Sequence, residues 1–135
     1  MGMFRTLALL TALTVPAAAE TIDGRSAVIV DGDTVKFGPE TVRILNIDAP
    51  ESFRSRCEAE LVAGLRAKER LAQLVRVPRV EIVRDGQDRY RRTLARLVLP
   101  GGRDVGTVLI REGLALPWKD GAEAKAARLK HWCGV

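Results

Sequence analysis

Val30-Asp31-Gly32-Asp33-Thr34-Val35, followed by Val42-Arg43-Ile44-Leu45-Asn46-Ile47-Asp48-Ala49-Pro50-Glu51, is the stretch that decides the reading of this chain. It sets aspartates, an arginine and a glutamate around short β-patterned runs. Aspartate is a poor strand former and is costly to bury without a partner. Acidic residues held between apolar strand segments therefore point to a site for a hard cation. The same stretch sets the first strands. Asp31-Gly32 is a hairpin-turn signal between the strand-like runs Ala27 to Val30 and Thr34 to Phe37. Gly38-Pro39 makes a second turn, and Thr41 to Ile47 reads as a third strand, so the three form a meander.

Downstream, Asp48 to Arg56 reads as a loop. Ser55 with Glu58 three residues on has the capping-box pattern, so a helix follows. Leu61, Leu65, Leu71, Leu74 and Val75 supply its apolar face, and Pro78 ends the segment. Val80 to Val83 and Leu94 to Leu99 read as two more strands, joined by the polar stretch Asp85-Gly86-Gln87-Asp88-Arg89-Tyr90-Arg91-Arg92. Asp104 can cap a short helix from Val105 to Glu112, with Gly113 as its stop. Leu114 to Trp118 crosses back over the body, and Ala122 to Lys130 forms a last helix. This order predicts a mainly β, α+β fold: a five-stranded OB-type barrel, β-β-β-α-β-β, with short C-terminal helices.

The 135 residues suffice for one domain with a core, expected over residues 20–135. The 47% hydrophobic and 29% charged composition is that of a folded chain rather than a disordered one. A net charge of +5 and a pI near 9.8 favour polyanionic partners: nucleic acid, anionic lipid or acidic glycan. Residues 1–19 read as a signal peptide. Arg5 gives the positive start, Leu7 to Val15 the apolar run, and Pro16-Ala17-Ala18-Ala19 the small residues of a cleavage site. The run is too short to span a bilayer. The expectation is export, to a periplasm or out of the cell, with no membrane anchor in the mature chain. In an oxidising compartment the only two cysteines, Cys57 and Cys133, suggest one disulfide tying the chain end to its middle, the alternative being two free thiols. With a single histidine, His131, they are too few for structural zinc.

The chemistry follows from residue types. Hydrolysing a phosphodiester needs a water made nucleophilic and compensation for charge on the phosphoryl oxygens. Asp33 and Asp48 are the candidate metal ligands, and carboxylate oxygens suit calcium. Asp31 can act from behind them, through water. Glu51 is the candidate general base, on a loop stiffened by Pro50. Arg43, on the third strand, and Arg92, at the start of the last, offer bidentate phosphate recognition that lysine cannot reproduce. Each piece also has an ordinary reading. Asp31-Gly32-Asp33-Thr34 is a common turn, Asp48-Ala49-Pro50-Glu51 an Asp-initiated one, and Arg89, Arg91 and Arg92 a solvated basic loop. The functional reading rests on their joint order and spacing.

That joint pattern resembles the staphylococcal-type thermonuclease family, the SNase-like OB-fold nucleases. The matching pieces are Val30 to Val35, Val42-Arg43-Ile44, Ile47-Asp48-Ala49-Pro50-Glu51, Asp88-Arg89-Tyr90-Arg91-Arg92-Thr93-Leu94-Ala95 and Glu112-Gly113-Leu114-Ala115. They run in family order from about Ser26 to Ala115. The resemblance implies a five-stranded barrel and calcium-dependent cleavage of DNA and RNA at the P–O5′ bond, leaving 3′-phosphates. It implies that Asp33 and Asp48 are calcium carboxylates and that the Ala49 backbone carbonyl completes the site. Glu51 matches the general base, and Arg43 and Arg92 the two phosphate-binding arginines. Tyr90 matches a tyrosine of the pattern, either structural or at the substrate's edge. A monomer is expected.

There are departures from the pattern. Arg91 stands where the family has a small glycine, so it either perturbs the loop or adds a phosphate contact. The base-stacking tyrosines have no clean match after Ala115; Trp118 either takes their place or packs in the core. The alternative class is a non-catalytic OB-fold module binding nucleic acid or glycan. Such modules stack bases on aromatic residues, and an aromatic content of 4% counts against that mode.

Overall fold

A computed structural model describes Gly2, Ala12, Leu13 and residues 19–135. Most of the expected signal peptide therefore lies outside the described residues. Nine strands and three helices are seen among those described. The strands are β1 (Glu20–Ile22), β2 (Val28–Asp31), β3 (Thr34–Phe37), β4 (Glu40–Ile44), β5 (Ile47–Asp48), β6 (Val80–Gln87), β7 (Thr93–Leu99), β8 (Arg103–Asp104) and β9 (Leu116–Pro117). The helices are α1 (Glu58–Val75), α2 (Val105–Arg111) and α3 (Ala122–Cys133).

The main sheet runs β1-β6-β7-β4-β3-β2, with β8 added to β7. Its five long strands are the expected ones, and the sheet curls into a half-barrel consistent with an OB-fold. The β4–β7 pair is parallel, and the other neighbours in the sheet are antiparallel. Alternation fixes what faces inward. Val35, Val42, Ile44, Ile82, Ala95 and Leu97 are buried, and Leu71, Leu74 and Val75 of α1 pack against them. Each such large side chain contributes roughly 1.5–3 kcal/mol of burial.

Four local expectations are corrected. Thr41 to Ile47 is not one strand. Asn46 takes a left-handed backbone (φ 67°), which asparagine tolerates, and breaks the run after Ile44. Ile47 and Asp48 then pair with Leu116 and Pro117 in a separate ribbon, where the Trp118 N–H donates to the Asn46 carbonyl at 2.9 Å. The first turn is centred on Gly32-Asp33 rather than Asp31-Gly32, because Asp31 pairs with Thr34 after a register shift past Ile29.

The cap of α1 is two residues later than expected. Cys57, not Ser55, is the N-cap, and its sulfur accepts from the Glu60 N–H at 3.3 Å. The Glu60 carboxylate accepts from the Arg56 N–H (2.8 Å), one residue before the cap, and so ties the entering chain to the first turn of the helix. The helix stripe also shifts: Leu65 is 52% exposed, while Gly64 and Ala67 are buried. Small residues there let other backbone segments approach.

Candidate active site

The site is assembled where β3, β4 and the loop after β5 meet. Asp33 ends the first turn and is buried. Its Oδ1 accepts from the Thr34 hydroxyl (2.9 Å) and its Oδ2 from the Ala49 N–H (2.9 Å). The second bond ties the hairpin to the loop that carries Asp48 and Glu51. Packing closes the same junction. A Cβ on Gly32 would lie 2.6 Å from the Ala67 Cβ and 2.9 Å from the Ala49 Cβ. One on Gly64 would lie 2.7 Å from the Glu51 carbonyl oxygen. Only glycine lets the loop sit this close to α1.

Arg43 reaches both carboxylates. One nitrogen, Nη2, lies 3.4 Å from Asp33 Oδ2 and 3.5 Å from Asp48 Oδ1, while Nη1 donates to the Ile44 carbonyl at 2.8 Å. Arg92 is brought beside Arg43 by the parallel pairing. Arg43 registers with Leu94, and Arg92, just before β7, lines the same cleft as Arg43. Asp88 holds that loop: it accepts from the backbone N–H groups of Tyr90 and Arg92 and pairs with Arg92 Nε at 2.7 Å. Arg92 and Arg89 both stack on the Tyr90 ring.

These side chains border two clefts. The first, about 420 Å³, is lined by Arg43, Arg92, Tyr90, Arg89, Leu94 and Trp118 among others. Trp118 is 51% exposed and Tyr90 64%, so both are surface rings beside the two arginines rather than core packing. Arg91 is exposed and outside both clefts. The second cleft, about 300 Å³, holds Asp48, Ala49 and Glu51 on one side and Lys125, Arg128 and Trp132 of α3 on the other. Asp48 stands between the two, bound to Arg43 from one and to Arg128 Nε (2.9 Å) from the other.

Charge crowding marks the second cleft. Burial pushes the Asp48 carboxyl above its ordinary value, and the neighbouring Asp33 adds to this against the nearby arginines. Glu51 is also pushed up, by burial first and then by Asp31, Asp33 and Asp48. Carboxylates that raise one another in this way suit a cation between them. The donor chemistry fits a hard ion: Asp33 and Asp48 already converge on a single cationic nitrogen, and the Ala49 carbonyl can add a third oxygen. Among the described residues no three His, Cys, Asp or Glu side chains group tightly enough to hold a metal by themselves. An ion here would take two carboxylates, backbone and water, which makes an open, weak site. Asp31 contributes indirectly, accepting a hydrogen bond from the Ser52 hydroxyl beside Glu51.

Four features of the site escape sequence reading. Ser52 anchors the loop through Asp31. Glu60 is fully buried and bound by Arg56 through side chain and backbone; burial pushes its carboxyl up, but those bonds win and hold it below the ordinary value. Gly64 gives the loop its seat. Arg128, from the far end of the chain, meets Asp48. Only Ser52 and Glu60 have a local signal, as polar residues flanking the loop at helix-cap spacing. The expected disulfide is present: Cys57 and Cys133 are bonded, with Cα atoms 5.9 Å apart, and pin α3 to the start of α1.

Comparison with known proteins gives this arrangement its family. Residues 41–132 match the family described as staphylococcal nuclease homologue. The chain belongs to that family. It is 34% identical over 119 residues to a micrococcal nuclease of Shigella flexneri, an alignment covering 79% of this chain and 64% of that protein. It is 34% identical over 108 residues to the succinoglycan biosynthesis protein ExoI of Rhizobium meliloti (73% of this chain, 53% of that one). An uncharacterized endonuclease of Haemophilus influenzae is 33% identical over 100 residues (70% and 52%). The chain thus spans between half and two thirds of the length of these three relatives. No helix among the described residues is long and apolar enough to cross a membrane.

Proposed function

We propose that the protein is an exported, calcium-dependent nuclease that hydrolyses phosphodiester bonds of DNA and RNA. The observation that carries this reading is the convergence of Asp33 and Asp48 on the Arg43 guanidinium, with Glu51 across Asp48 in the adjoining cleft. Membership of the nuclease homologues and a net charge of +5 support it.

In this reading Asp33, Asp48 and the Ala49 carbonyl hold the ion. When bound, calcium supplies positive charge against the phosphoryl oxygens and orders water beside them. Arg43 and Arg92 grip the scissile phosphate in the first cleft, and their charge offsets what builds on its oxygens during attack. Glu51 takes a proton from the attacking water as its oxygen bonds to phosphorus. The P–O5′ bond breaks, the 5′-oxygen takes up a proton, and the phosphate stays on the 3′-oxygen. Trp118 and Tyr90 flank a base beside the two arginines.

The test is cleavage of single-stranded DNA and RNA with calcium, with chelator, and by Glu51→Gln. Cleavage should need calcium and fall on the order of 10²–10⁴-fold in Glu51→Gln. A folded protein that binds calcium and oligonucleotide without turnover would be a binding module instead. Export is supported by the small-residue pattern before Glu20 and by the bonded cysteines, which belong in an oxidising compartment. Recovery of the uncleaved chain from cytoplasm would overturn it. The same reading takes the protein as a monomer, which sedimentation would check.

A further inference from the structure

The second cleft carries more positive charge than the reaction uses. Arg54, Arg56, Lys125 and Arg128 line it against Asp48, Glu51 and Glu60. Two of these cations are engaged within the protein: Arg56 with Glu60 (2.6 Å) and Arg128 with Asp48 (2.9 Å). Arg54 and Lys125 have no ion pair among the described residues, and both are exposed. Both line the cleft, Arg54 from the loop after Glu51 and Lys125 from α3. Lys125 and Arg128 are three residues apart on that helix, so they share a face. The wall also holds a donor without an acceptor: the Trp132 indole N–H is buried and makes no hydrogen bond. The disulfide keeps this wall in place.

Asp48 of this cleft pairs with Arg43 of the first, so the cations at the rim of the second cleft extend the positive charge of the Arg43–Arg92 groove, the layout of a track for a polyanion. We propose that it is a second phosphate subsite, which binds the nucleic-acid backbone flanking the phosphodiester held by Arg43 and Arg92. Arg54 and Lys125 are its contacting cations, and Arg128 is a positioning residue that fixes Asp48 between the two clefts. The inference rests on the nuclease reading and adds to it where the rest of the strand lies.

The test is the salt dependence of binding to a phosphorothioate oligothymidylate, compared with a dinucleotide too short to reach both clefts. Charge reversal at both positions, Arg54→Glu with Lys125→Glu, should weaken oligothymidylate binding at low salt by about tenfold or more. The log–log salt slope should become shallower by about 1.4, since the two single-strand phosphate contacts contribute roughly 0.7 each. The loss should be larger for the oligothymidylate than for the dinucleotide. Lys36→Glu, an exposed β3 residue outside both clefts, controls for net charge and should leave the slope close to wild type. If the reversed pair fails to fold, the neutral pair Arg54→Gln with Lys125→Gln reads the same slope. An unchanged slope in a folded variant, or an equal change in Lys36→Glu, overturns the subsite alone. Failure of the wild-type protein to bind the oligothymidylate removes the nuclease reading and the subsite together.

Discussion

The two sides of Asp48 are built differently. On the sheet side, Asp33 is buried with both oxygens hydrogen-bonded, Arg43 is held by two carboxylates and a carbonyl, and Asp88 fixes the Arg92 loop through three hydrogen bonds. On the helix side, Glu51 and Arg54 sit on the loop between β5 and α1, and α3 buries none of its residues. That helix is held by one disulfide, its packing on α1 and the Arg128–Asp48 pair. The sheet side has the rigidity that binding a phosphate and an ion in fixed geometry requires. The helix side is the looser wall, where the proposed second subsite would take the flanking strand. Its order comes from outside the core, so it should fail separately.

The largest expected effect breaks the helix side. Replacing both cysteines by serine releases a closure of 76 residues, for which chain entropy gives roughly 4–5 kcal/mol. Amide exchange should then speed up across α3 first, with β3 and β4 still protected. Uniform loss of protection would show that the two sides are one cooperative unit. Next is the sheet side. Arg43→Lys keeps the charge but loses the planar fork that spans Asp33, Asp48 and the Ile44 carbonyl. Nuclease turnover should fall on the order of 10²–10³-fold, with the melting temperature nearly unchanged. A melting temperature lowered as strongly as turnover would make Arg43 a structural residue.

The join between the two sides can be probed by sign. Gly→Ala inside a helix ordinarily stabilises by about 1 kcal/mol. At Gly64 the added methyl would meet the Glu51 and Pro50 carbonyl oxygens at 2.7 and 2.9 Å. Gly64→Ala should therefore destabilise, by about 1–3 kcal/mol, and displace Glu51 enough to lower turnover about tenfold or more. A stabilised, fully active variant would mean that the loop is not seated on α1.

How much of this was legible follows the same division. Asp33, Arg43 and Asp48 lie within sixteen positions of one another, on strands whose apolar alternation is local, so their meeting could be read from the hairpin pattern alone. The five long strands and the helix between them were legible for the same reason. The break at Asn46 was not, because a left-handed residue inside an apolar run has no periodic signature; the partner that stabilises it, β9, is some seventy residues away. Ser55 and Cys57 both offer a cap with a glutamate three residues on. The choice fell to Cys57 because Cys133 ties it down and the buried Glu60 pairs with Arg56. Arg128 was illegible since α3 has no buried stripe to orient it.

The smallest effect tests a strained residue on the rigid side. Arg91 stands where the resemblance expects glycine, and its backbone is left-handed (φ 63°). Its N–H donates to the Asp88 carbonyl at 3.0 Å, so the tight loop that aims Arg92 is kept despite the side chain. A non-glycine residue in that conformation costs roughly 1–2 kcal/mol, partly offset by the extra freedom glycine gives the unfolded chain. Arg91→Gly should therefore stabilise by about 0.5–1 kcal/mol in thermal unfolding. Because Arg91 lines neither cleft, oligonucleotide affinity and its salt slope should stay close to wild type. Stabilisation with weaker binding and a shallower slope would instead make Arg91 a phosphate contact, for which this chain gives up backbone comfort beside Arg92. The sheet side would then owe part of its binding strength to strain, and its contrast with the helix side would narrow.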